Sequence, residues 1–77
     1  MKVYRSTIQG KVEFVKEVIS PLLYQADTGW YGAVYEYNET THDEIVYLLT
    51  RDGYRSNAIY VNGDSLEALV RDVFKNL

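Results

Sequence analysis

The stretch EIVYLLTRDGYRSNAIYV, residues 44–61, decides the fold. Two runs rich in β-branched and aromatic residues flank Asp52-Gly53, a pair that favours the positive φ angles of a tight hairpin turn. A two-residue loop there sets Arg51 opposite Tyr54, Leu49 opposite Ser56, Tyr47 opposite Ala58 and Ile45 opposite Tyr60. Paired residues share a face, so one face carries Ile45, Tyr47, Leu49, Tyr54, Ala58 and Tyr60. The other carries Val46, Leu48, Ile59 and Val61. A slip of one residue would exchange the two sets. The purely aliphatic face suits burial under helices, and the tyrosine-heavy face is the one left open.

Upstream of this hairpin, Trp30–Tyr37 reads as another strand, so the meander comprises Trp30–Tyr37, Glu44–Arg51 and Tyr54–Val61. The span from Trp30 to Val61 holds six of the eight tyrosines and the only tryptophan. The turn between the first two strands, Asn38 to Asp43, is polar and longer than two residues. Its register decides whether Tyr31, Tyr35 and Tyr37 join the aliphatic or the aromatic face, and the sequence leaves that open.

Outward again, the period changes from two to between three and four. Val12, Val15, Ile19, Leu22 and Ala26 mark an amphipathic helix from about Gly10. Pro21 interrupts it, because proline lacks an N–H and restricts the residue before it. The outcome is a kinked helix, or a break at which Ser20 caps a short second helix; one element with a kink or break near Ser20 is favoured. Asp27-Thr28-Gly29 is the exit turn. After Asn62-Gly63, a second helix is marked by Leu66, Leu69, Val70, Val73, Phe74 and Leu77. Asp64 with Glu67 three residues on fits a capping box. Residues 2–8, KVYRSTI, read as either a strand or an extended arm.

The expected fold is therefore a single α+β domain over residues 1–77. It is two-layered, with a three-stranded antiparallel meander, both helices on one face, and residues 2–8 as a candidate fourth strand. The order helix, three-stranded meander, helix is similar to that of double-stranded-RNA-binding domains and of several small phage-encoded inhibitors. The similarity is one of element order, and no motif carries it.

Composition narrows the function classes. A chain of 77 residues has a thin core, and without cysteine neither a disulfide nor a thiolate metal site reinforces it. The longest apolar run, Ile45–Leu49, falls far short of the roughly 20 residues of a membrane-spanning helix. The N-terminal MKVYRSTIQG has no apolar core of a secretory signal, so a cytosolic protein is expected. Net charge is −3, unevenly placed: residues 25–50 carry Asp27, Glu36, Glu39, Asp43 and Glu44 with no Lys or Arg. Such asymmetry bears on partners rather than on fold.

Chemistry-bearing constellations are sparse. His42 is the only histidine and lies in a polar turn, Thr40-Thr41-His42-Asp43, where it reads as solvated rather than catalytic. The carboxylates Glu36, Glu39, Asp43 and Glu44 lack the spacing of a metal site and read as an acidic rim. No Gly-rich phosphate loop is present. Nucleic-acid affinity rests on Lys and Arg, and none occurs between Lys16 and Arg51, so direct RNA binding is disfavoured. What remains is tyrosine beside carboxylate, a combination suited to a protein partner of opposite charge.

The expectation is thus a non-enzymatic protein-binding module without cofactor or metal. It engages a basic partner through Tyr31, Tyr35, Glu36, Tyr37, Glu39, Asp43, Glu44 and Tyr47. One specific form is a small inhibitor of a nucleic-acid-binding protein, of the phage anti-defence kind. The alternatives are an RNA- or single-strand-binding αβββα domain and a self-associating structural subunit.

Overall fold

The computed structural model describes residues 2–77 as an α+β domain of order α-β-β-β-α. Helix α1 occupies residues 8–25, strand β1 Gly32–Asn38, β2 Asp43–Leu49 and β3 Arg55–Tyr60, and helix α2 is Leu66–Lys75. The sheet is antiparallel in the order β1-β2-β3. Both helices cover one face of it. Val15, Ile19 and Leu23 of α1, with Leu69 and Val73 of α2, form a single core with Ala33, Tyr35, Val46, Leu48 and Ile59.

Helix α1 starts earlier than its apolar period announces. The Thr7 side chain accepts from the Gly10 N–H at 3.0 Å and caps it. Pro21 neither breaks the helix nor leaves a second cap. Instead the chain passes from α-geometry (Ile8–Phe14) through a wider π turn (Val15–Ile19) and back to α-geometry (Ser20–Gln25). In a regular α-helix the proline ring would collide with the carbonyl four residues earlier. The π turn, in which the Ser20 N–H reaches Val15 O, accommodates the ring without ending the helix. The Ser20 side chain is not spent on a cap. Its Oγ accepts from the Ala33 N–H at 3.0 Å, fastening α1 to the outer edge of β1.

The N-terminal segment is not a fourth strand. The Lys2 ammonium donates to both oxygens of Glu17 at 2.9 and 3.1 Å, and the Tyr4 hydroxyl donates to the same carboxylate at 2.9 Å. The Tyr4 ring meets Phe14 edge-on at 5.3 Å. These side chains lay the segment along α1. Helix α2 is capped by Ser65, whose Oγ accepts from the Ala68 N–H at 3.0 Å, rather than by Asp64. The Asp64 N–H is taken by the Asn62 side chain at 2.9 Å, which turns the chain ahead of the helix.

The second hairpin keeps the expected faces for Ile45, Val46 and Tyr47 and their partners, by a different route, but not nearer the turn. Gly53 has φ +84°, but Asp52 is not among the positive-φ residues. The loop is therefore Arg51-Asp52-Gly53, with Gly53 N–H to Thr50 O and Thr50 N–H to Tyr54 O both at 2.9 Å. That loop pairs Leu49 with Arg55 instead of Ser56 and sets Tyr54 opposite Thr50 instead of Arg51, so Arg55 joins the face of Leu49 and Tyr54 leaves it. A bulge on β3 then inserts one residue opposite Leu48, and the pairs Tyr47–Ala58, Val46–Ile59 and Ile45–Tyr60 fall in the expected register.

In the first hairpin Asn38 pairs with Asp43, Glu36 with Ile45, Tyr35 with Val46 and Ala33 with Leu48. His42 takes the left-handed conformation (φ +62°), and the Asn38 carboxamide accepts from the Thr40 and Thr41 N–H groups at 2.9 and 3.2 Å. This register turns Ala33, Tyr35 and Tyr37 toward the helices and Val34 and Glu36 away from them.

Candidate functional site: the open face of the sheet

Alternation along the strands leaves Val34, Glu36, Asp43, Ile45, Tyr47, Leu49, Ala58 and Tyr60 on the face that no helix covers. Tyr60 is 65% exposed, while Ile45, flanked in register by Glu36 and Tyr60, is 7% exposed although it lies outside the core cluster. Three strands contribute to one polar feature on this face. The Arg55 guanidinium of β3 lies 4.9 Å from the centroid of the Tyr47 ring of β2 and donates to Glu36 of β1 at 3.0 Å. Glu36 is thereby paired, at the surface, with a cation of another strand.

The eight residues expected to form one surface do not come together. Glu36, Asp43 and Tyr47 share the open face, and Glu39 is exposed in the turn beside it. Tyr31 is exposed at the opposite end of the sheet, with its N–H on Leu49 O. Tyr35, Tyr37 and Glu44 lie on the helix side. Tyr35 is part of the core, and Tyr37 packs against that core and meets His42 Nδ1 with its hydroxyl at 2.8 Å. Their register follows from the polar turn between the strands, whose conformation depends on a left-handed His42.

Glu44 serves the fold. It accepts from the Lys11 ammonium at 2.5 Å and from the Tyr35 hydroxyl, and Lys11 itself is buried. Burial alone would raise the Glu44 pKa, but the hydrogen bonds from Lys11 and Tyr35 and the Lys11 charge outweigh it, so the net direction is down. The Tyr35 hydroxyl is pushed well above its ordinary value, first by burial and then by its bond to Glu44. A Cβ at Gly63 would overlap the Glu44 carboxylate, so the loop after β3 closes over this group with no room for a side chain.

Residues that the site expectation omits include Leu49, Ala58, Tyr60 and Arg55. Their signal was present in the hairpin pairing, which already placed Leu49, Ala58 and Tyr60 beside Tyr47; the uneven charge drew the expectation to the first hairpin instead. Among the described residues, no group of three or more Asp, Glu or His could hold a metal ion. No helix among them is long and apolar enough to cross a membrane. No protein-family model, curated protein or solved structure matches the chain.

Proposed function

We propose that this protein is a non-enzymatic protein-binding module whose partner is basic. The observation that carries the reading is the uncovered sheet face, where Val34, Tyr47, Leu49, Ala58 and Tyr60 stand beside the carboxylates of Asp43 and Glu39. Aromatic and aliphatic groups there offer area to bury, and the rim charge steers a cationic surface toward it. Ion pairing sharpens the charge. Four of the chain's eleven Asp and Glu and four of its eight Lys and Arg sit in salt bridges within the described residues. Glu39 and Asp43 are among the carboxylates with no such partner there, whereas Arg55, beside the open face, is held by Glu36.

The specific form we favour is a small inhibitor that covers the nucleic-acid-binding groove of a basic cytosolic protein, as some small phage proteins do; size and acidity support it. Direct RNA binding has less support, since the sheet-face arginine is already paired with Glu36 and stacking without phosphate contacts binds nucleic acid weakly. Self-association is favoured by the apolar part of the same face. Affinity capture with the full chain tests the proposal. A partner retained at low salt and released as salt rises supports it. Salt-insensitive capture, a gel shift with RNA at low salt, or a concentration-dependent dimer in sedimentation that hides the sheet face would each overturn it.

A further inference from the structure

At the end of the sheet away from the first hairpin, the exit of α1 and the entry to β1 enclose a cleft of about 440 Å³, lined by Tyr24, Gln25, Asp27, Gly29, Trp30 and Tyr31. The rings of Tyr24 and Tyr31 lie 5.3 Å apart, tilted by 53°, and are 60% and 47% exposed as residues. Trp30 packs against the core. The wall between them is fixed by local bonds. Asp27 (φ +56°) and Gly29 (φ +90°) reverse the chain. The Thr28 N–H and hydroxyl both donate to Leu23 O, and the Thr28 oxygen accepts from the Trp30 N–H at 3.3 Å.

Three features of the cleft act on charge with the same sign. Helix α1 ends here with no basic residue in its last turn, so no side-chain charge offsets its negative pole. Asp27 follows directly, and no Lys or Arg among the described residues lies within salt-bridge distance of it. The aromatic rings present electron-rich faces, which attract cations. A concave, aromatic site with negative potential from a helix end, a carboxylate and ring faces fits a cationic group on an apolar stem and repels an anion.

We propose that this cleft receives one arginine or lysine side chain of the basic protein partner, arginine before lysine, which rests on the reading of the partner given above. A planar guanidinium can stack on a tyrosine ring while donating to Asp27, whereas an ammonium makes a point contact with one or the other. The cleft adjoins the Leu49 end of the sheet but shares no lining residue with its open face, so separate substitutions disable each.

The test is an NMR titration of the full chain with three probes: N-acetyl-arginine methylamide, its lysine counterpart and the neutral citrulline analogue. The expected result is saturable shifts at the Trp30 indole and the amides of residues 24–31, strongest with the arginine probe and absent with citrulline. Asp27→Asn, which keeps a residue type tolerant of positive φ, should weaken binding about tenfold. Equal shifts with citrulline, no shifts at the cleft, or an unchanged Asp27→Asn variant would overturn the proposal. Partner capture separates it from the broader reading: capture lost on changing the sheet face but indifferent to Asp27→Asn removes the cleft alone.

Discussion

At the scale of single residues, the Lys11–Glu44–Tyr35 cluster is where the thin core admits charge. The side chains of Lys11 and Glu44 are 7% and 18% exposed, so removing one partner strands the other in a poorly solvated place. Lys11→Met is expected to lower unfolding free energy by about 3 kcal/mol, measured in urea, and Lys11→Met with Glu44→Leu to recover most of it. Gly63→Ala should be destabilising by about 1–3 kcal/mol for a related reason. A lone glutamate would swing aside, but this one is bound to Lys11 and Tyr35.

The same cluster sets a pH dependence. The folded pKa of Glu44 lies below its ordinary 4.5, so its stabilisation is complete above that value and is lost as pH falls through the folded one. For Tyr35 the folded pKa lies above its ordinary 10.0, so that contribution is present below 10.0 and lost as pH rises beyond it. Urea midpoints should therefore fall at both extremes, the acid fall shrinking in Glu44→Gln and the alkaline fall in Tyr35→Phe. At this scale the sequence was least informative. Thr7 and Ser65 cap helices from positions where serine and threonine are common, and nothing in the pattern linked Lys11 to a carboxylate 33 positions away.

At the scale of elements, the helices and strands were legible because their apolar periods are strong, and the joints between them were not. Asp52-Gly53 marks a hairpin, but the pair is compatible with a two-residue loop and with the three-residue loop observed. The Thr50 hydroxyl, which accepts from the Tyr54 N–H at 3.2 Å, supports the longer form. The bulge on β3 restores the pairing from Ala58 onward, so the expected faces stand there, whereas Tyr54 leaves the face expected for it and Arg55 takes the place beside Leu49. Gly53→Ala should cost about 1 kcal/mol or more, because φ +84° is strained for any residue with a Cβ. In α1, the apolar stripe and Pro21 together could not distinguish a kink from a break; the π turn is a third solution that keeps the helix continuous. Ser20→Ala should leave the Ala33 N–H without its partner, costing about 1–2 kcal/mol and accelerating hydrogen exchange at that amide.

At the scale of the whole molecule, two helices cover one sheet face and leave the other open, with Ile59 the one buried residue of β3. The layer order followed from alternating faces, whereas of the eight expected surface residues only Glu36, Asp43 and Tyr47 fall together on the open face. Tyr35 and Tyr37 are core and half-core residues because the first hairpin's register is set by a turn whose conformation no apolar pattern encodes. Of the carboxylates in the acidic stretch, Glu36 and Glu44 pair with Arg55 and Lys11 from distant elements, whereas Glu39 and Asp43 have no salt-bridge partner among the described residues. The proposed function thus rests on binding by the open sheet face. Its most direct test compares partner capture by the parent chain with capture by Tyr60→Ser and by the double reversal Glu39→Lys, Asp43→Lys, as salt is raised. Both variants are expected to stay folded and to bind about tenfold or more weakly at low salt, with the charge-reversed chain losing most of its salt dependence. Variants that capture the partner as well as the parent at every salt concentration would contradict it.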